Sequence, residues 1–201
     1  MAVTTLDQRM LGLGTTLTDH TIVAGDVISF ADAGASNVIK RDTVQGVLDL
    51  VPSAGWTLGT PVATTSGTAV TFGSLPSTIK MAVLLMDEVS FSGGVDFDVT
   101  IGDSGGLHTS NYVSASKPGS MVTSTTEFNI YGSNAGFNFT GAMTIMLQNA
   151  STFRYISTHI VARGGNDMNK GTGIVTLDSV MTQISISGGT FDAGAVNLMY
   201  I

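Results

Sequence analysis

Apolar and polar residues alternate along most of the chain after residue 55, a pattern typical of strands that bury one face. Glycine-rich pieces such as 92–94 and 187–189 separate these runs, and glycine favours tight turns because it adopts positive φ at little cost. The clearest run has an apolar residue at every second position: Val95, Phe97, Val99 and Ile101. The pattern predicts an all-β fold, an antiparallel jelly-roll-like β-sandwich of about eight to ten short strands from Trp56 onward.

Two segments, 80–89 and 153–162, are apolar on both faces over part of their length. This is expected for central strands that are covered on both sides. The predicted core takes its members from the apolar positions of several runs: Phe72, Met86, Phe97, Ile130, Phe139, Ile145, Ile156, Ile186 and Leu198.

The first fifty residues have a different character and predict a small module of short strands and one short helix. Asp42 is placed to cap a helix over 43–50, with Gln45 completing a capping box. So short a helix is not stable alone in water, so its apolar stripe must pack against the sandwich or a neighbouring chain. The stripe, a predicted oligomer or virion interface, consists of Val44, Val47, Leu48 and Val51. The proline at position 52 marks the boundary between predicted domains 1–52 and 53–201.

Composition excludes several functions. Eight Lys and Arg residues against fifteen Asp and Glu residues give a net charge of −7, which argues against nucleic acid and an anionic membrane surface as partners. The chain contains no cysteine, so it has no disulfide and no thiolate site. We find neither a signal-peptide pattern nor an apolar run long enough to cross a bilayer, and we expect no membrane insertion.

The pentapeptide Gly102-Asp103-Ser104-Gly105-Gly106 matches the nucleophile motif of trypsin-like serine proteases. That chemistry requires a histidine base oriented by a buried aspartate. The only histidine upstream is His20, and neither His108 nor His159 lies in a suitable sequence context. A glycine-rich hairpin after the preceding strand is therefore the preferred interpretation, and we predict no enzymatic activity.

Other candidate sites are weaker. Asp96, Asp98 and Asp103 lie close together in sequence and allow an oxygen-ligand Ca²⁺ site, although the spacing matches no known calcium loop. The three histidines are too dispersed to indicate a metal site. We therefore predict no catalytic residue, no cofactor and no metal, and leave cation binding by the three aspartates open.

Polar-tipped aromatic residues offer stacking surfaces for sugars. Tyr112 and Tyr131 are flanked by polar stretches and are the best candidates for exposed loop contacts with a receptor, together with Asn111 and Asn134.

Residues 28–33 (ISFADA) and 40–50 (KRDTVQGVLDL) resemble the N-terminal segment of tail-fibre and other virion appendage proteins of tailed bacteriophages, notably those of marine bacteria. Residues 102–107 (GDSGGL), with Tyr112 downstream, and 189–200 (GTFDAGAVNLMY) look like recurrent pieces of the β-sandwich heads that follow such segments. Residues 33–36 (AGAS) depart from this pattern, because related segments more often carry a serine-rich loop there.

The resemblance implies a structural virion protein, a homo-oligomer and usually a trimer, assembled in the host cytoplasm. Its N-terminal module would bind other virion proteins, and its head would bind a host-surface glycan or protein. A capsid decoration or head-fibre protein without a receptor role is the alternative. A polysaccharide or peptide hydrolase and a free lectin-like module are the other classes to be separated by experiment.

Overall fold

The computed structural model of the chain describes residues 27–32, 38–43, 55–117, 121–132, 134–164 and 167–201. The chain divides into two compact units, Met1–Ala54 and Gly55–Ile201. In the first unit, β1 (Val27–Asp32) and β2 (Val38–Thr43) form an antiparallel hairpin. Asp42 lies within β2 and not at a helix cap, so this part of the helix prediction is wrong. The predicted stripe of Val44, Val47, Leu48 and Val51 lies outside the described residues, as does the body of the predicted helix.

The second unit is built from strands. Its described residues form fourteen strands, of which five are only two or three residues long; the nine longer strands agree in number with the predicted eight to ten. In chain order the strands are β3 (Thr57–Leu58), β4 (Val62–Ala63), β5 (Ala69–Phe72), β6 (Met81–Phe91), β7 (Phe97–Asp103), β8 (Gly106–Leu107), β9 (Val113–Lys117), β10 (Val122–Ser124), β11 (Phe128–Ile130), β12 (Phe139–Asn149), β13 (Arg154–Arg163), β14 (Met168–Thr176), β15 (Gln183–Ser187) and β16 (Phe191–Tyr200).

Two antiparallel sheets pack face to face, which confirms the predicted all-β sandwich. The larger sheet has the order β10-β9-β14-β13-β12-β6-β16-β3, and β4 also pairs with β16. The smaller sheet has the order β11-β7-β15-β5, and β8 also pairs with β7. No helix occurs in the described residues, so none there is long and apolar enough to cross a membrane.

Four antiparallel pairs are nested within one another along the chain. The innermost pair is β12 with β13, followed by β9 with β14, β7 with β15, and β6 with β16. Nested pairing of this kind arises when one long hairpin rolls up on itself, as in a jelly roll. Because β6 lies between β12 and β16 in the larger sheet, both of its partners come from much later in the chain.

The core fills the space between the sheets. In β7, Phe97, Val99 and Ile101 are all buried, as the alternation of this run predicts. A cluster of four phenylalanine rings fills one region of the core, with Phe91 in contact with Phe97, Phe139 and Phe191 at centroid distances of 5.9, 6.3 and 4.9 Å. Of the predicted core residues, Phe72 and Ile156 are only half-buried, and the other seven are buried.

Candidate functional site

A surface cavity of about 270 Å³ lies where the β7–β8 hairpin meets the loop after β14. Asp103 ends β7, His108 follows β8, and Asp178 belongs to the loop between β14 and β15. All three side chains line the cavity, together with residues of the hairpin and the exposed Thr109 and Ser110. The fold thus brings together three groups that are separated by up to 75 residues in sequence.

The buried Asp103 carboxylate organises the walls of this cavity. Its Oδ1 accepts a hydrogen bond from the Gly105 amide at 2.8 Å, and its Oδ2 accepts from the Ser179 amide at 2.9 Å. The Gln183 side-chain amide donates to the Asp103 carbonyl oxygen at 2.8 Å. Burial alone would raise the pKa of Asp103, but the two amide hydrogen bonds and the charge of His108 together lower this pKa below its usual value.

His108 lies between the two aspartates. Its Nε2 is 3.2 Å from Asp103 Oδ2 and 3.9 Å from Asp178 Oδ2. An ionised carboxylate only accepts hydrogen bonds, so the His108 Nε2–H donates to Asp103. The His108 side chain is 15% exposed and that of Asp178 is 97% exposed, so both groups can be reached from solvent.

The protease-like pentapeptide forms the β7–β8 hairpin in this structure. Ser104 is exposed in the turn, and Asp103 holds that turn through the Gly105 amide. Among the described residues, no serine or threonine hydroxyl is hydrogen-bonded to His108. The motif therefore builds a turn and one wall of the cavity, and among the described residues it makes no serine–histidine contact of the kind that acyl transfer requires.

A second polar cluster is buried between the sheets near β9, β13 and β14. The Ser116 hydroxyl donates to Asn169 Oδ1 at 2.7 Å and accepts from the Tyr131 amide at 3.0 Å. His159 Nε2 lies 3.3 Å from the same Asn169 oxygen, and burial lowers the pKa of His159. Because Asn169 Oδ1 accepts hydrogen bonds, Nε2 carries a proton and cannot deprotonate Ser116, 3.4 Å away. The cluster is structural.

Arg163 fixes Tyr131 beside this cluster. Its guanidinium lies 5.0 Å from the centroid of the Tyr131 ring and 4.5 Å from that of Phe137, and it pairs with Asp167. The Arg163 hydrogen bond is the main reason why the pKa of Asp167 is lowered. Tyr131 is half-buried as a result, and only part of its ring faces solvent.

The predicted three-aspartate group is divided by the structure. Asp96 precedes β7 and Asp103 ends it, so the two are roughly 20 Å apart along an extended strand. Asp96 and Asp98 lie together because the Asn129 side-chain amide donates to both, at 3.0 and 3.1 Å. Desolvation is the largest cause that raises the pKa of Asp98 to about 7, followed by the charge of Glu127. The Asn129 hydrogen bond acts in the opposite direction, and the charge of Asp96 adds a still smaller upward effect. Any shared Ca²⁺ site that includes Asp103 is therefore incompatible with this fold.

The predicted receptor-contact residues differ in their exposure to solvent. Tyr112 is only 1% exposed, and its hydroxyl oxygen accepts a hydrogen bond from the Ile101 amide at 2.8 Å. The prediction of Tyr112 as an exposed loop contact is therefore wrong. The polar neighbours of Tyr112 in the sequence suggest exposure, and they carry no information about the buried backbone amide that its hydroxyl binds. Asn111 and Asn134 are exposed, and Asn134 accepts a hydrogen bond from the Gly136 amide at 2.9 Å. Their role as contacts stays a prediction.

Three rows of side chains on the outer face of the larger sheet are mostly apolar, with twelve apolar residues among eighteen. Directly opposed residues share a face, so each row crosses neighbouring strands. The first row is Val113, Ile174, Ile156, Met146 and Met81. The second is Ala115, Thr172, Thr158, Thr144, Val83, Met199 and Leu58. The third is Lys117, Lys170, Ile160, Ala142, Leu85 and Asn197.

These rows correct the prediction that Ile156 belongs to the core. In β13 the inward positions include the polar Ser157 and His159, whereas the outward positions include Ile156 and Ile160. Polar and apolar residues thus occur on both faces of this strand, and Ile160 is 65% exposed. We call the surface formed by the three rows the outer apolar face.

No protein-family model and no curated protein matches this sequence.

Proposed function

We propose that the chain is a structural subunit of a tailed-phage virion appendage, a tail fibre or a shorter fibre, that assembles as a homo-oligomer and presents its sandwich to the host surface. The trimeric state, the attachment of residues 1–52 to other virion proteins and the host glycan or protein as partner come from the resemblance of the sequence motifs. The outer apolar face is the observation that supports self-association.

The size of this face favours a protein partner. With strands about 4.8 Å apart and same-face residues about 6.8 Å apart, its eighteen positions cover roughly 600 Å² in projection, of which the twelve apolar positions account for roughly 400 Å². That apolar area lies within the range of the largest apolar patch of a monomer, about 300–600 Å², and such patches are often functional. Lys117 and Lys170 are the only charged members.

A second copy of the chain is the occupant that we propose. The ends of the larger sheet, β10 on one side and β3 with β4 on the other, are strands of two or three residues, so extension of the sheet through its edges would gain few hydrogen bonds. Packing through the broad outer apolar face would bury much more apolar surface than pairing through these short edges. A closed rotational assembly would cover the face on every copy and leave no open end to aggregate.

Substitution of Ile160 by aspartate tests this assembly directly. Size-exclusion chromatography with light scattering should show an oligomer, a trimer if the resemblance holds, for the parent chain and a smaller species for Ile160→Asp, because a buried unpaired carboxylate opposes association. Leu107→Asp is the matched control, since Leu107 is an exposed strand residue (40%) outside the outer apolar face. A parent chain that stays monomeric at high concentration, or an Ile160→Asp variant with the parent's mass, would refute self-association through this face.

The virion role needs a separate experiment. Electron microscopy of particles that carry a labelled copy of the chain should place the label on the tail or its fibres. Label on the capsid surface would favour the decoration or head-fibre alternative, and its absence from purified particles would contradict a virion role.

A further inference from the structure

We propose that Asp103, His108 and Asp178 form a binding site for a divalent transition-metal ion, with zinc as the best-fitting metal. The site is independent of the outer apolar face and of the proposed virion role. It rests on the geometry of the three ligand atoms, on the hydrogen bonds that hold them, and on the open cavity beside them.

The separations of the ligand atoms fit one ion. His108 Nε2 lies 3.2 Å from Asp103 Oδ2 and 3.9 Å from Asp178 Oδ2, and the three potential ligand atoms all lie within 4.8 Å of one another. Ligands about 2.1 Å from a tetrahedral ion are roughly 3.4 Å apart. The Asp103–His108 pair thus already has the required spacing, and a small movement of the exposed Asp178 carboxylate brings the third ligand into place.

The surrounding hydrogen bonds hold the site in position. The amides of Gly105 and Ser179 fix the Asp103 carboxylate, and the Asp178 amide lies 3.2 Å from the same Oδ2. The His108 amide donates to the Ile101 carbonyl at 3.1 Å, so the backbone of this ligand is anchored to β7. Partners that orient the ligands in this way strengthen metal sites.

The ligand chemistry selects the class of metal. Imidazole nitrogen suits zinc and its neighbours in the first transition row, whereas Ca²⁺ and Mg²⁺ prefer all-oxygen sites. Two carboxylates and one imidazole give a neutral complex with a divalent ion. The cavity beside them, about 270 Å³, leaves room for water or another ligand in the fourth position.

In this proposal the ion takes the place of the proton that now lies between His108 and Asp103. His108 binds the metal as the neutral imidazole, with its ring proton on Nδ1 and the Nε2 lone pair on the metal. Any second ring proton must leave to solvent, so acid weakens binding. The bound ion would also join the β7–β8 hairpin of the smaller sheet to the loop after β14 of the larger sheet. The site should therefore stabilise the sandwich against unfolding.

Isothermal titration of the chelator-treated full chain with zinc chloride tests the proposal. We expect binding of one ion per chain at this site, with affinity at least tenfold weaker in Asp178→Asn and in His108→Gln, since each variant removes one ligand. Asp178→Asn is the cleaner variant, because its side chain is exposed and its removal should not disturb folding. Asp87→Asn is the matched control: Asp87 is an exposed aspartate of β6, outside this cavity.

Thermal unfolding provides a second measurement. At a zinc concentration about 100 times Kd, the Tm of the parent and of Asp87→Asn should rise by about 5–10 °C, and that of Asp178→Asn should rise much less. If the parent binds no zinc, or if Asp178→Asn binds zinc as tightly and gains as much thermal stability as the parent, the proposed site is wrong.

Discussion

Replacement of Asp98 by asparagine should stabilise the protein at neutral and alkaline pH. Asp98 is half-buried on β7, where loss of hydration and the charges of Glu127 and Asp96 raise its pKa to about 7. The carboxylate is therefore unfavourable in the folded chain once it ionises. Asparagine has almost the same shape and keeps an oxygen that can accept the hydrogen bond from the Asn129 amide.

The pKa difference gives both the sign and the size of the effect. Between about pH 4 and pH 7 the folded chain holds a proton on Asp98 that the unfolded chain has lost, so the free energy of unfolding decreases as the pH rises through this range. A shift of about three units corresponds to about 4 kcal/mol at full strength. Because solvent reaches part of the side chain and screens these charges, we expect about 1–3 kcal/mol.

Urea denaturation followed by circular dichroism measures this quantity. Asp98→Asn should have a free energy of unfolding about 1–3 kcal/mol above that of the parent at pH 8, and only a small advantage at pH 4, where the folded parent and nearly half of the unfolded parent carry the proton. Asp87→Asn, which replaces an exposed aspartate of β6, is the control variant. A destabilised Asp98→Asn variant, or a gain that is equal at pH 4 and pH 8, would refute the reasoning.

Three further substitutions test close backbone packing and a buried hydrogen bond. Gly194→Ala should cost about 3 kcal/mol or more, because φ is +88° and a Cβ would lie 2.4 Å from the Glu88 backbone, whereas Gly67→Ala, with φ +83° and open space around it, should cost only about 1 kcal/mol. Equal losses in the two variants, measured by chemical denaturation, would show that the close contact is relieved elsewhere. Tyr112→Phe should cost about 1–3 kcal/mol in the same assay, because the buried Ile101 amide loses its partner, and an unchanged stability would contradict that role.

Strand periodicity predicts the smaller sheet well and the larger sheet less well. In β7, one set of alternate positions is apolar and the other is polar, so Phe97 and Val99 could be assigned to the core from sequence. In β13, apolar residues occur at both sets of positions, and the inward set contains polar residues. The sequence pattern therefore predicts Ile156 as a core residue, although it lies on the outer face. Only the tertiary hydrogen bonds of Ser116, His159 and Asn169 show that polar groups can be buried there at low cost.

The residues that meet at the cavity beside the β7–β8 hairpin can also be predicted from the sequence only in part. Asp103 and His108 are five residues apart on either side of a glycine turn, and their proximity follows from the hairpin that the sequence predicts. Asp178 joins them from a loop 75 residues beyond Asp103. No periodic pattern carries that information, because it depends on how the two sheets stack.

The placement of β6 in the larger sheet has a consequence for biosynthesis. β6 and β12 are the longest strands. About fifty residues of chain separate β6 from β12, the first of its neighbours to be synthesised, and about a hundred separate it from β16. At ribosomal speeds of about 5–20 residues per second, its hydrophobic side chains remain without their final neighbour for roughly 5–20 s. The nascent polypeptide therefore exposes these side chains to chaperones during synthesis, and the β6–β16 ladder can close fully only after translation has passed residue 200.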